Sequence, residues 1–372
     1  MKIAPRRRAI AFIGVLAIMA QFLMTLPGCS SGEAQSTTAA PSPVTLRDAV
    51  HAKLYAHSTA QTRIWSSTEP LPAALRNVAD RAGYLLGAIK PVEWQIWATS
   101  YKYTNLPQAS ILLHTPGNKK LLVYNHGHSG LPGEADVYVF EFLKKAHASG
   151  GYDVLVTSMP LVGLNTPAFN QRYWAVTRSS PTQAEIHSSV LSDFSSMHAL
   201  YEVIGDPDHY LHYFLDSGVM VADALAAAGA SGYSKIENKA LIRALYDKID
   251  YVGLSGGATT GLIGCVIYKF DHCILIAGVM PDHLRLPFFG NFGDAEQHTR
   301  SFYEEFPLVS LMREATLVSR KLVLMFNSSD NCCFGNPAAS MFREQYPEFD
   351  IRVRQLNFHG YEPRAVILAL DE

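Results

Sequence analysis

Gly253-Leu254-Ser255-Gly256-Gly257 satisfies the pattern Gly-x-Ser-x-Gly, and its flanks are those the pattern needs: an apolar run from Ile249 to Leu254 before it and a helical pattern from Gly257 to Lys269 after it. A strand that turns abruptly into a helix strains its central residue. It also brings the residues two before and two after so close that glycine is required. Ser255 would then stand at the tip of the turn, with the amide of Gly256 and the helix start facing any negative charge that forms beside it. A serine hydroxyl attacks a carbonyl at neutral pH only when a base takes its proton, and the base works best when a carboxylate fixes its tautomer. His359, in Asn357-Phe358-His359-Gly360, and Asp330, in Asn327-Ser328-Ser329-Asp330, each follow a strand-like run and supply those two groups.

The elements that must position these residues are read from periodicity. Val92 to Tyr103 alternates, with Ser110 to His114 as its antiparallel partner, and the two predict an edge hairpin with one wet face. Lys120 to Asn125, Tyr152 to Thr157, Ile249 to Leu254, Cys273 to Ala277, Lys321 to Phe326 and Ile351 to Leu356 read as further strands, the first three as buried ones. Helical patterns lie over Ala135 to Ala148, Val219 to Ala228, Gly257 to Lys269, Asn336 to Gln345 and Gly360 to Leu370. Strand, helix and strand at this spacing predict a mostly parallel sheet with right-handed crossovers, whose carboxyl edge carries Ser255, Asp330 and His359. Residues 45–91 read as a mostly helical N-terminal extension capping this domain. Residues 159–216 show no clean period and read as an insertion.

In order and context these residues resemble the α/β-hydrolase superfamily, whose order is nucleophile, acid, histidine; the likeness runs from Val92 to Glu372 and leans toward the dienelactone-hydrolase and acetyl-esterase branches. The resemblance implies an α/β fold with a mostly parallel central sheet flanked by helices, a Ser255, Asp330 and His359 triad, and acyl transfer. His126-Gly127-His128 resembles the family's His-Gly loop, which implies that the amide of His128 joins that of Gly256 in an oxyanion hole. Gly253 and Gly257 are the glycines of the nucleophile turn. The expected substrate is a small-molecule carboxylic ester. An amidase or acyltransferase on the same fold, or an envelope binding protein without chemistry, is the alternative.

Competing assignments stay open at this point. Asp282 and Asp294 are rival acids, while Ser129 is excluded as nucleophile because Gly127-His128-Ser129-Gly130-Leu131 lacks the final glycine. His126 and His128 are spaced as a His-x-His metal pair, but the Asp-His pair of the metallo-β-lactamase-like pattern is replaced by Gly130-Leu131. No CxxC or HExxH spacing occurs, so neither metal nor cofactor is expected. Phe288, Phe289, Phe292 and Trp174 could line an acyl pocket or simply pack.

The N-terminus reads as an export signal over residues 1–28: Lys2 and Arg6-Arg7-Arg8, then an apolar run from Ala9 to Leu26. Leu26-Pro27-Gly28-Cys29 resembles the lipobox of bacterial lipoproteins, which implies acylation of Cys29, with residues 29–44 as a solvated tether to a membrane of the cell envelope. A retained spanning helix is the alternative. Export permits disulfides among Cys265, Cys273, Cys332 and Cys333, with three pairings open. A net charge of -2 and 17% charged residues exclude a global field for nucleic acid. The 372 residues suffice for one large domain, residues 45–372.

Overall fold

Ten strands form one sheet in this computed structural model, in the order Asp350–Arg354, Lys321–Asn327, His272–Ile276, Lys248–Leu254, Lys120–His126, Tyr152–Ser158, Gln108–His114, Glu93–Ser100, Gln61–Ser66 and Lys235–Glu237. The structure describes residues 44–104, 107–128, 137–166, 198, 201, 204–226, 235–242, 246–290, 294–330 and 332–372. The residues read as signal, lipobox and tether, up to residue 43, along with Ser129, Trp174 and Phe292, lie outside the described residues.

The parallel half is built from β4 (Lys120–His126), β5 (Tyr152–Ser158), β7 (Lys248–Leu254), β8 (His272–Ile276), β9 (Lys321–Asn327) and β10 (Asp350–Arg354). Their short apolar runs suit strands covered on both faces; Leu121, Leu122, Val123, Val252, Ile274, Val323 and Leu324 are all buried. Each such side chain contributes about 1.5–3 kcal/mol through burial. Helix α3 (Val137–Ala148) connects β4 to β5, toward one edge. Helices α4 (Gly256–Ile267) and α6 (Leu308–Val318) lie on the path from β7 through β8 to β9, toward the other. Right-handed crossovers running in opposite directions put their helices on opposite faces. Accordingly α4 packs with α6 and with α1 (Leu46–Tyr55), while α3 packs with α2 (Ala73–Ile89) and α8 (Pro363–Asp371). The strand order reverses between β5, β4 and β7, so a crevice opens there at the carboxyl ends of β4 and β7.

Two expectations are corrected. The hairpin of β2 (Glu93–Ser100) and β3 (Gln108–His114) is not at the edge: β3 pairs with β5, β2 pairs with β1 (Gln61–Ser66), and β6 (Lys235–Glu237) lies beyond. Gln95, Thr99, Gln108 and Ser110 face protein, not water. Thr99 bonds Thr62 at 2.9 Å, and Gln95 donates to the Leu241 carbonyl at 3.0 Å. The N-terminal extension therefore adds a strand to the sheet as well as two helices. Within the stretch read as an insertion, helix starts at His212, earlier than the expected Val219, and runs to Ala226 through a π-helical turn at Asp216–Met220. The polarity that hid this start is buried polarity. Asp216 accepts from Tyr55 at 2.9 Å and lies 3.1 Å from His212, while Ser217 shares a hydrogen bond with Thr157.

Cys265, near the end of α4, is bonded to Cys273 in β8, and Cys332 to Cys333. Among the described residues no helix is long and apolar enough to cross a membrane.

Candidate active site

Ser255 sits between β7 and α4 with φ 57° and ψ -125°. A side-chain-bearing residue held there costs about 1–3 kcal/mol, which the surrounding packing must over-determine. The packing is visible. A Cβ on Gly253 would run into the Gly257 carbonyl, and one on Gly257 into the carbonyl of Asn125 on β4, so both positions need glycine for close approach. The Ser255 amide is anchored to the Ile276 carbonyl at 2.8 Å, and Thr259 donates to the Gly278 carbonyl at 2.6 Å. Gly256 is the first helical residue, where an amide has no partner within the helix.

The His126-Gly127-His128 loop leaves β4 beside this turn because Asn125 registers with Gly253 across the parallel pair. A Cβ on Gly127 would stand 2.6 Å from the Ser255 Cβ. The loop expected to supply a second amide is thus in contact with the serine turn.

Asp330 and His359 follow β9 and β10, two and three strands from β7, roughly 10 and 14 Å across the sheet. The loops after those strands are tied together. Ser328 and Ser329 donate amides to the carbonyls of Arg354 and Leu356 at 2.7 and 3.0 Å. His359 Nδ1 lies 2.8 Å from Asp330 Oδ2, while Oδ1 accepts from the amides of Cys332 and Cys333 at 2.7 and 3.1 Å. Burial alone would raise the Asp330 carboxyl, but the His359 hydrogen bond and charge, with those two amides, hold it below its ordinary range. The carboxylate bonded to His359 is therefore Asp330. Its rival Asp294 instead pairs with His128 Nδ1 at 3.1 Å. Since a carboxylate only accepts, Nδ1 of His359 carries the proton when the ring is neutral, leaving Nε2 as a base; that atom is buried and makes no hydrogen bond.

Several neighbours of this pair escape sequence reading. The side-chain amide of Asn327 donates to the carbonyls of Phe358 and Gly360 at 2.7 and 2.8 Å, pinning the turn on both sides of His359. Phe334 stacks on the His359 ring at 6.2 Å, and the guanidinium of buried Arg285, from α5 (Asp282–Phe289), lies 4.7 Å from the Phe334 centroid. Met159 and Glu296 crowd Gly256: a Cβ there would stand 2.7 Å from Met159 Cε and 2.8 Å from Glu296 Oε1.

Glu296 belongs to a second cluster, with His128 and His198, that lies over the start of α4. Burial would raise the Glu296 carboxyl; when the two imidazoles are protonated, the charge of His128 and the hydrogen bond and charge of His198 outweigh it and lower it. No sequence signal joins these residues, which stand 70 and 98 positions apart. Of the aromatic residues considered for an acyl pocket, Phe289 packs on the core and Phe288 is exposed. A cavity of about 590 Å³ beside α5 is lined by neither, but by Asp282, His283, His298, Tyr303 and their neighbours.

No known protein family matches the chain, and no curated relative does. Solved structures resemble it loosely. Acetyl xylan esterase 1 from Thermoanaerobacterium is 13% identical over 82% of this chain and 94% of its own, with a TM-score of 0.42. An acetyl xylan esterase from Paenibacillus is 14% identical over 87% and 90%, with a TM-score of 0.40. A fluorophosphonate-binding serine hydrolase of Staphylococcus aureus is 12% identical over 76% and 100%, with a TM-score of 0.41. The fold is of the α/β-hydrolase type. That statement rests on the strand order and its reversal at β4 alone.

Proposed function

We propose that this chain is a serine hydrolase that cleaves carboxylic esters, with Ser255 as nucleophile, His359 as general base and Asp330 as the acid that orients it. The observation that carries this reading is the His359 and Asp330 pair, 2.8 Å apart and set on the sheet edge that also presents the strained Ser255. The substrate carbonyl lies against Ser255, and Nε2 of His359 takes the hydroxyl proton as Oγ bonds to the carbonyl carbon. Charge on the carbonyl oxygen is met by the amides of Gly256 and His128 at the positive end of α4. Collapse expels the alcohol, protonated by His359, and leaves an acyl-Ser255; water, activated by the same imidazole, then releases the acid. Asp330 stays ionised throughout and stabilises the imidazolium.

The test is hydrolysis of p-nitrophenyl esters of graded acyl length. Turnover by the purified chain, falling by about 10³-fold or more in Ser255→Ala with its circular dichroism unchanged, is the expected result. Equal rates in both proteins would remove the assignment.

In the same reading the protein is exported and held to the cell envelope by acyl chains on Cys29, which supply membrane affinity without a spanning helix. Incorporation of labelled palmitate that disappears in Cys29→Ala is expected, and undiminished incorporation would refute it.

A further inference from the structure

The side chains over the start of α4 pose a proton-counting problem. His198 Nε2 lies 2.8 Å from the Pro160 carbonyl oxygen, which can only accept, so in a neutral ring the proton is on Nε2 and Nδ1 is a lone pair. His128 Nδ1 lies 3.1 Å from Asp294 Oδ2, which by the same argument leaves Nε2 of His128 as a lone pair. These two lone pairs face each other at 3.4 Å, and the carboxylate of Glu296 closes the triangle, with Oε1 3.3 Å from His128 Nε2 and Oε2 3.2 Å from His198 Nδ1. Three electron-pair donors thus converge, two of them on fully buried residues, His198 and Glu296. Glu296 Oε1 makes no hydrogen bond.

We propose that His128, His198 and Glu296 bind a divalent transition-metal ion of the zinc class. Around tetrahedral zinc with bonds of 2.0–2.1 Å, ligand atoms stand about 3.3 Å apart; the two imidazole nitrogens are 3.4 Å apart, and each has its own oxygen of Glu296 at 3.3 or 3.2 Å, so the carboxylate would face the ion with both oxygens. Each imidazole also gives its outer N–H to a carboxylate or a carbonyl, the arrangement that orients metal-binding histidines and fixes their tautomer. Two neutral imidazoles and one carboxylate suit zinc or a neighbouring first-row ion better than magnesium or calcium. The ion would join the loop after β4 to the turn Ala295–His298 across the N-terminus of α4, bracing the backbone of His128 beside Ser255. The site does not depend on Ser255 being a nucleophile.

The experiment uses the protein purified without an affinity tag, stripped with a chelator and titrated with Zn²⁺, and separately with Co²⁺ as a spectroscopic probe. Expected are one equivalent of Zn²⁺ by elemental analysis and the intense visible bands of tetrahedral Co²⁺. Affinity should fall more than about 100-fold in Glu296→Gln and about 10–100-fold in Asp294→Asn, which removes only the charge of the outer partner of His128. Ser255→Ala should bind as the wild type does, so loss of the hydrolytic reading would leave this result intact. A folded wild type that takes up neither ion overturns the proposal in favour of an extra proton shared by the two rings. Undiminished binding in both Glu296→Gln and Asp294→Asn overturns it as well.

Discussion

Asn327 ends β9, and its side chain holds the carbonyls on either side of His359. The imidazole therefore has its height set by Asn327 and its proton placed by Asp330, two constraints from one strand end. Removing the Asn327 amide leaves two carbonyls without their donor and lets the ring drift. Asn327→Ala is expected to lower kcat by roughly 10²-fold with little change in KM, since the lost property is alignment and not substrate contact. Steady-state kinetics beside a melting curve check this; a KM effect alone would contradict it. Ser255, Asp330 and His359 were legible in the sequence as candidates, because each follows an apolar strand and Ser255 also has its glycines; of the three, the structure pairs His359 with Asp330. Asn327, Phe334, His198 and Glu296 were not, because their roles arise between chain segments that only the fold brings together.

The helix from His212 to Ala226 shows the same limit one level up. Its early turns carry His212, Asp216 and Ser217, and polar residues read as surface. In the folded protein His212 is buried between Asp206 and Asp216, each 3.1 Å away. Burial would lower the imidazole, but the Asp216 charge and the hydrogen bonds that the ring donates to both carboxylates raise it to about 9, from an ordinary 6.5. A histidine whose folded value is raised stabilises the protein fully below its unfolded value. That contribution, on the order of 3 kcal/mol, is lost as pH rises from about 6.5 through 9. Urea midpoints measured from pH 6 to 9.5 should fall across that window in the wild type, and the fall should be smaller in His212→Gln; parallel profiles would contradict the assignment. Strand β1 was hidden for a related reason. Gln61 to Ser66 is short, and what makes it a strand is pairing with β2, whose register no local pattern encodes.

At the scale of the whole molecule, the buried parallel strands and the helices between them were readable, since uninterrupted apolar runs and helical periods survive in any context. The switch at β4 was not, because strand order is a property of the sheet. It is that switch which brings the His126-Gly127-His128 loop, residues 126–128, against the turn at Ser255, 127 positions away from His128. The central claim is that this arrangement activates Ser255 with His359 and Asp330. Reaction of the folded protein with a fluorophosphonate probe, followed by peptide mass mapping, tests it most directly. Labelling confined to the peptide that carries Ser255, abolished in Ser255→Ala and strongly slowed in His359→Ala, is the predicted result. A folded protein that stays unlabelled, or one labelled equally fast without His359, would contradict it.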